Sequence, residues 1–305
     1  MDRPLVSVFT CVYNRADRIH RVFNSMKAQT YRNIEHVIVD DGSTDNVGEL
    51  LEQYKKEAPF PVKIIRKENG GKHTATNVAW DNCTGDYIAQ LDSDDEYFPD
   101  TIEYLVNMTK EVQPEDLSEY WCFLGRCCTQ FSDEMIGKPF PENINQMSFK
   151  RAYEEADATG GDKMGLMKAS VLKTRRYPEP PGVKFVPEGV LWREIKTQFR
   201  THYTNKILLR YYVNEGDCLS HQKMSLQTLT NKVWSCRWQI ENMKKLGTKG
   251  WKCLLPYAFC RPVTRSVYRK GTPYLIKGNP LINTILTILY IPALIVSPLV
   301  RILVI

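Results

Sequence analysis

The sequence lacks the short glycine motifs that usually account for nucleotide binding in α/β proteins. No Gly-x-Gly-x-x-Gly follows the first apolar run, and no Gly-x-x-x-x-Gly-Lys-Ser/Thr occurs in the 305 residues. These absences exclude a dinucleotide-binding turn and a P-loop, because both depend on glycines at fixed spacing. Internal repeats and low-complexity tracts are also missing, which excludes a solenoid.

Cysteine is present, but not in a pattern that builds disulfide frameworks or zinc sites. The nine cysteines are an odd number, and no two of them are spaced Cys-x-x-Cys. The first residues, Met1 to Pro4, lead into a short apolar run without a small-residue cleavage site, so we expect no export signal. The cysteines are therefore expected to be reduced thiols, most of them small core residues.

Acidic residues are missing from the C-terminal part of the chain. The net charge is only +6, yet every charged residue after Glu241 is a Lys or an Arg. Such an asymmetry predicts a polyanionic partner for this tail, either nucleic acid or anionic lipid.

The hydrophobic end of the chain favours lipid. Residues 281–305 read LINTILTILYIPALIVSPLVRILVI, which is long enough to cross a bilayer, since about 20 apolar residues suffice. A single straight span is opposed by Pro292, Pro298 and Arg301. We therefore predict a kinked or interfacial anchor on equal terms with a full crossing of the membrane. A buried core helix is the alternative. The adjacent basic residues place the preceding domain at the cytoplasmic face of the inner or plasma membrane, peripheral or C-terminally anchored, with no nucleic-acid partner.

Strand and helix patterns alternate through the first hundred residues. Each predicted strand is apolar and β-rich, and a helical pattern follows each of the first three; the strands are Leu5–Tyr13, Glu35–Asp40, Val62–Arg66 and Tyr87–Asp92. This alternation predicts an α/β fold with a mostly parallel, doubly wound sheet and flanking helices. Beyond about Asp100 the alternation is less regular; there we expect a helix at 101–112, extended chain at 120–131, a helix near 187–195, a strand at 206–213 and a helix at 225–246.

The same patterns predict three parts. A catalytic α/β domain covers 1–217, a basic helical extension covers 218–278, and the hydrophobic segment covers 279–305.

A dense group of carboxylates follows the fourth predicted strand directly, as Asp92-Ser93-Asp94-Asp95. Ligands of open parallel sheets bind outside the carboxyl ends of the strands. Carboxylates this close repel one another, and a divalent cation such as Mg²⁺ or Mn²⁺ would resolve the conflict. The alternative is a solvated acidic turn that caps the next helix.

The chain resembles the family-2 glycosyltransferases, which have the GT-A fold. The resemblance covers about two thirds of the chain and rests on three blocks, SVFTCVYNRADRIHRVFNSMKAQTYRNIEHVIVDDGSTD, ENGGKHTATNVAWDNCTGDYIAQLDSDDEYFPD and GDKMGLMKASVLKTRRYPEPPGVKFVPEGVLW. It implies metal-assisted, inverting transfer of a sugar from a nucleoside-diphosphate sugar, most often UDP-linked. The acceptor would be a hydroxyl of a glycan or lipid-linked molecule in bacterial cell-surface polysaccharide or cell-wall synthesis.

The resemblance also implies roles for residues near the predicted strand ends. Asp92 and Asp94 match the DXD motif that holds Mn²⁺ or Mg²⁺ against the donor diphosphate. Asp41 matches the acidic residue that binds the nucleotide base, Tyr13 matches an aromatic that packs on it, and Thr10 joins this nucleotide-binding set. The Gly-Gly-Lys loop is expected to bring Lys72 to the diphosphate. For Tyr13 the competing interpretation is a core tyrosine at a strand end. For Lys72 it is a solvated loop lysine.

Further residues match later positions of the family. Glu188 lies where the family has its catalytic base, although many relatives have an Asp preceded by Glu there; the alternative is charge compensation at a helix start. Asp95, Asp162 and Lys163 match segments near the donor sugar or acceptor, with surface charge as the alternative. His221 matches a late metal- or phosphate-contacting residue, and a structural histidine is the alternative.

Two other classes of function stay open on the sequence. A metal-dependent nucleotidyltransferase also uses carboxylates on an α/β sheet, and it would release pyrophosphate rather than a nucleoside diphosphate. A non-catalytic, membrane-associated nucleotide- or glycan-binding protein would bind without transfer.

Overall fold

The computed structural model describes residues 3–213, 225–246, 250–263, 280–286 and 288–289. The chain divides into two compact units, the first made of Met1–Tyr177 and Leu191–Glu215, the second of Pro178–Val190 and Gly216–Ile305. The predicted three-part division at 217 and 278 stays a prediction.

The N-terminal half of the first unit has the predicted alternation of strands and helices. Its elements are β1 (Val6–Val12), α1 (His20–Lys27), β2 (Ile34–Asp40), α2 (Val47–Glu57), β3 (Val62–Arg66), α3 (Lys72–Asn82) and β4 (Tyr87–Gln90). The four strands are parallel and lie in the order β3-β2-β1-β4. β1 and β2 are almost wholly buried, as expected for apolar strands covered on both faces by helices.

The rest of this unit is less regular. The elements that follow are β5 (Glu96–Tyr97), α4 (Thr101–Met108), β6 (Tyr120–Thr129), β7 (Ser132–Met135), α5 (Phe149–Ala158), β8 (Lys163–Lys168), α6 (Ala169–Leu172), α7 (Gly189–Ile195) and β9 (Arg200–Tyr211). They extend the sheet to the order β3-β2-β1-β4-β8-β6-β9-β5, with β7 paired to β6.

The expectation of a mostly parallel sheet is wrong, because the sheet is mixed. β8 is antiparallel to both β4 and β6, and β5 is antiparallel to β9. β6 reaches β7 through only Gln130 and Phe131, a connection too short for the crossover that a parallel pair needs. The sequence of β8, KMGLMK, contains Met and Gly instead of β-branched residues, which explains why its pattern did not predict a strand.

The second unit contains helices in its described part. α8 (Leu226–Leu246) confirms the helix predicted at 225–246, and α9 (Leu254–Val263) follows it. Val233, Cys236 and Ile240 lie on one face of α8 and share a hydrophobic cluster with four residues of α9 and the 280–289 region, Tyr257, Ala258, Ile282 and Leu286.

Most of the predicted hydrophobic segment lies outside the described residues; its described residues, 280–286 and 288–289, are helical. None of the helices in the described ranges is both long and apolar enough to cross a membrane.

The seven cysteines whose side chains the structure describes are free thiols. Five of them are buried in the interior, namely Cys83, Cys122, Cys127, Cys128 and Cys236.

A buried polar network ties the central strands together near their carboxyl ends. The Thr10 hydroxyl on β1 donates to the Leu91 carbonyl oxygen at 2.8 Å, and Thr10 Oγ1 also lies 3.1 Å from His36 Nε2. His36 Nδ1 lies 2.9 Å from the Tyr54 hydroxyl oxygen. Since the threonine hydrogen points to Leu91, Nε2 of a neutral imidazole donates to Thr10 and Nδ1 accepts from Tyr54. The network fixes the chain one residue before Asp92.

His36 predicts an acid-sensitive step in folding stability. Burial lowers the pKa of His36 to about 3, whereas an unfolded histidine titrates near 6.5. Between these two pKa values the histidine is protonated in the unfolded chain and neutral in the folded chain. The free energy of unfolding therefore falls as pH falls through this window. The slope contribution is at most about 1.4 kcal/mol per pH unit.

The measurement is urea unfolding from pH 7 to pH 4 for the wild type and His36→Gln. The variant is expected to be less stable at pH 7 but to lose less stability on acidification. Equal slopes in the two proteins would contradict a neutral, buried His36.

Candidate active site

Three parallel strands bring their C-terminal ends to one edge of the sheet. β1 pairs with both β2 and β4, so the residues after Val12, Asp40 and Gln90 are neighbours. Asn14 has a left-handed φ of 51°, which Asn tolerates better than most residues. Its backbone N–H donates to Ser43 Oγ at 3.0 Å, which ties the exit of β1 to the turn after β2. The edge therefore gathers the polar residues that the sequence places after its strands.

Asp41 organises the loop between β3 and α3. Its buried carboxylate accepts hydrogen bonds from Lys67 Nζ at 2.6 Å and from the Gly70 N–H at 2.9 Å. It also accepts from the Gly71 N–H at 2.7 Å and from Asn69 Nδ2 at 3.3 Å. Four donors use the acceptor positions that a carboxylate offers. Asp41 is thus the anchor of this loop, and its contact with a nucleotide base stays a prediction.

Two glycines make this close approach of backbone to carboxylate possible. Gly42 has a φ of 79°, and a Cβ atom there would lie 2.8 Å from the Asn69 backbone nitrogen. Gly71, with a φ of 97°, precedes α3 and turns its N–H toward Asp41. Only glycine adopts both conformations without strain.

Two cationic side chains compensate the carboxylates after β4. Lys72, the first residue of α3, donates from Nζ to Asp92 Oδ2 at 2.9 Å. Arg15 Nε lies 3.9 Å from Asp94 Oδ2. Because the loop before α3 is fixed on Asp41, the chain presents Lys72 to Asp92 from a rigid support.

The third carboxylate of the group, Asp95, is 3% exposed and accepts a hydrogen bond from the Tyr212 N–H at 3.1 Å. Burial, and next the negative charge of Asp92, raise the pKa of Asp94. Burial and the charges of Asp92 and Asp94 raise the pKa of Asp95 well above its usual value. The edge is therefore a place where additional positive charge is favoured.

The donor set at this edge fits a divalent cation held jointly with a substrate. Among the residues that the structure describes, no three or more His, Cys, Asp or Glu side chains converge as a metal site. Asp92 and Asp94 offer carboxylate oxygens, and Mg²⁺ commonly takes only one or two carboxylates and completes its shell with phosphate oxygens and water. These two residues would hold the ion, with a diphosphate as the further ligand.

The other predicted nucleotide-binding residues of this edge differ in exposure. Tyr13 follows β1 and is 46% exposed, so its ring is accessible for stacking. Thr10 is fully buried and donates to the Leu91 carbonyl oxygen. Its observed role is to hold the strand end that leads to Asp92. Nucleotide contacts by these two residues stay predictions.

Asp162 and Lys163 lie at the start of β8. Ala89 on β4 pairs with Leu166 on the antiparallel β8, so β8 begins at the edge where β4 ends. Lys163 Nζ donates to the carbonyl oxygens of Gly160 and Gly161 at 2.9 and 3.0 Å. Asp162 and Lys163 therefore lie at the edge of the sheet where β4 ends, and their contacts with a sugar or acceptor stay a prediction.

The two remaining predicted site residues are the base Glu188 and the histidine His221. Glu188 belongs to the second unit and directly precedes α7. His221 lies outside the described residues. Their roles stay predictions.

Sequence reasoning gave no role to the cations that compensate Asp41 and Asp94. Lys67 directly follows the third predicted strand, and Arg15 comes two residues after the first. Their position in strand-end loops, opposite acidic residues, was a usable signal. Tyr212 had no comparable signal, because it meets Asp95 only through the fold.

Residues 7–114 match the family model described as glycosyl transferase family 2. The Streptococcus pneumoniae glycosyltransferase GlyA is 27% identical over 241 residues, which is 76% of this chain and 32% of GlyA. An uncharacterized glycosyltransferase of Rickettsia felis is 40% identical over 117 residues, covering 38% of this chain and 19% of that protein. The chain thus matches well under two thirds of the length of these relatives.

Solved structures share the fold. S. aureus TarS 1–349 in complex with UDP-GlcNAc has a TM-score of 0.61 and 18% identity, covering 95% of this chain and 79% of that one. The Pyrobaculum calidifontis mannosyltransferase PcManGT in complex with GDP-Man and Mn²⁺ has a TM-score of 0.54 and 16% identity, covering 97% and 87%.

The likeness to these structures shows an α/β fold with a mixed sheet similar to that of the GT-A glycosyltransferases. The matched segment includes all four parallel strands and the carboxylate group after β4. Through residues 7–114, the chain is similar to glycosyltransferase family 2.

Proposed function

We propose that this protein transfers a sugar, with inversion, from a nucleoside-diphosphate sugar to a hydroxyl of a glycan or lipid-linked acceptor, with assistance from Mn²⁺ or Mg²⁺. UDP is the proposed nucleotide, and TarS, a solved neighbour, binds UDP-GlcNAc. The observation that carries the proposal is the pair Asp92 and Asp94 at the end of β4, with Lys72 held beside them by the Asp41 loop.

The cations at this edge support binding of a diphosphate. A bound metal would neutralise negative charge that develops on the departing nucleoside diphosphate. Lys72 and Arg15 already stand beside the two carboxylates and offer N–H donors to phosphate oxygens. Asp41 fixes the loop before substrate arrives, so little reorganisation is needed during the reaction.

Glu188 is our candidate for the base. A carboxylate within hydrogen-bond reach of the acceptor hydroxyl would take its proton as the oxygen attacks the anomeric carbon. The position of Glu188 just before α7 and its match to the family pattern support this assignment.

We also propose that the protein works at the cytoplasmic face of a membrane. The Lys and Arg residues after Glu241, with no acidic residue among them, suit an anionic lipid surface. Leu281 and Ile288 in the described part of the terminal segment are 73% and 70% exposed, which supports an interfacial contact.

The proposed reaction is tested with a panel of nucleotide sugars and Mn²⁺, followed by thermal shift and donor hydrolysis. One donor should stabilise the protein selectively and release a nucleoside diphosphate. Release of pyrophosphate would identify a nucleotidyltransferase, and binding without hydrolysis or transfer would identify a non-catalytic protein.

Asp94→Asn is expected to lose transfer while keeping the fold. Removal of one ligand charge should lower kcat by at least about a hundredfold, the scale found for single electrostatic groups in active sites. Because burial and Asp92 disfavour the charge of Asp94, the Tm of the variant should be unchanged or higher. Steady-state kinetics measure kcat, and thermal unfolding measures Tm. Full activity in a folded variant would contradict a role for Asp94 in holding a metal ion.

Lys72→Met is expected to change two affinities in opposite directions. The ammonium occupies Asp92 Oδ2, so its loss should tighten binding of Mn²⁺ alone, whereas UDP at saturating Mn²⁺ should bind more weakly. We expect about tenfold in each case, equivalent to about 1.4 kcal/mol.

Titration calorimetry of both ligands measures these affinities. Lys27→Met is the matched control. Lys27 Nζ lies 3.1 Å from Glu57 Oε2, and this ion pair does not involve Asp92, Asp94 or Asp95. A fall of both affinities, or of neither, would contradict the proposed dual role of Lys72.

A further inference from the structure

Two residues outside the predicted site, Arg21 and Tyr212, contact the carboxylate loop, residues 92–95. Arg21 on α1 donates from Nη1 to the Asp94 carbonyl oxygen at 3.2 Å. Its guanidinium carbon lies 3.8 Å from the centre of the Tyr212 ring, a close cation–π contact. The Tyr212 N–H in turn donates to Asp95 Oδ1 at 3.1 Å. These contacts enclose the peptide between Asp94 and Asp95.

The pairing of β5 with β9 delivers Tyr212 to this point. Glu96 pairs with Arg210 and Tyr97 with Leu209, so the chain leaving β9 runs beside the carboxylate loop. The Tyr212 hydroxyl donates to Glu96 Oε1 at 3.0 Å, which fixes the ring. Tyr212 is therefore held at its hydroxyl, its ring face and its backbone.

The loop needs such support because its side chains repel one another. Asp92, Asp94 and Asp95 are close enough that their charges raise the pKa of Asp94 and Asp95. Lys72 and Arg15 compensate the carboxylates of Asp92 and Asp94, but neither of these contacts restrains the backbone between Asp94 and Asp95. Arg21 binds that backbone at the Asp94 carbonyl oxygen, and Tyr212 supports Arg21 with its ring while its N–H binds the Asp95 carboxylate.

We infer that Arg21 and Tyr212 are positioning residues that hold the Asp94 peptide so that Asp92 and Asp94 face one divalent cation. The inference rests on the proposed function. Neither side chain is assigned a contact with the donor or the metal; both act through the carboxylate loop.

Metal affinity tests the inference with a readout other than turnover. Binding of Mn²⁺ to the full chain with UDP present is followed by electron paramagnetic resonance of the free ion, beside thermal unfolding of each variant. Tyr212→Leu removes the ring that stacks on Arg21 and is expected to raise the Kd for Mn²⁺ about tenfold, the lower end for loss of an outer-shell partner. Tyr212→Phe keeps the ring and the N–H and loses only the hydrogen bond to Glu96, so its Kd for Mn²⁺ should stay closer to that of the wild type than the Kd of Tyr212→Leu.

Two further variants separate positioning from general stability. Arg21→Gln should raise the Kd as Tyr212→Leu does, and it serves as the test if Tyr212→Leu fails to fold. Phe199→Leu removes a comparable cation–π contact, in which the Arg175 guanidinium lies 5.4 Å from the Phe199 ring centre. It should leave the Kd unchanged.

An unchanged Kd in folded Tyr212→Leu or Arg21→Gln, with or without a lower Tm, would overturn the positioning role alone. Failure of the wild type to bind Mn²⁺ with UDP would overturn the proposed function together with this inference. The wild-type titration therefore tells the two failures apart.

Discussion

The concentration of negative charge at the end of β4 is the constraint on which the rest of this site depends. Asp92 and Asp94 leave a buried strand together, and Asp95 is itself buried. Carboxylates so placed must be paired, protonated or bound to a cation. Lys72 and Arg15 supply the pairing within the chain. The same charges that make the loop costly to fold make it suited to a divalent ion carrying a diphosphate.

Asp41 follows β2, which β1 separates from β4, and its carboxylate has a different role. Its buried carboxylate is satisfied by Lys67 and by backbone N–H groups of the loop before α3. Gly42 permits the close approach of this loop. A structural ion pair thus helps to position Lys72 beside Asp92, so the loop that Asp41 stabilises also carries a residue of the proposed site. These different roles explain why the acidic groups after β2 and after β4 have different environments.

The first hundred residues were predictable because local signals agreed there. Apolar runs, helical periods and strand-end carboxylates all indicated the same parallel half-sheet, and Asp92 and Asp94 followed from it. Beyond Asp100 parallel and antiparallel pairs mix, since β8 is antiparallel to β4 and β6 whereas β6 is parallel to β9, and β8 has no β-branched residues. Arg21 and Tyr212 meet across 191 positions of sequence only because β5 pairs with β9. No local pattern encodes such a contact.

Thermodynamic coupling between metal and nucleotide is the most direct test of this account. The Kd of UDP is measured by calorimetry at increasing Mn²⁺, and the Kd of Mn²⁺ at increasing UDP. If Asp92 and Asp94 hold an ion that also binds the diphosphate, each ligand must strengthen the other by the same factor. A UDP affinity that is equal in EDTA and in saturating Mn²⁺ would contradict the account.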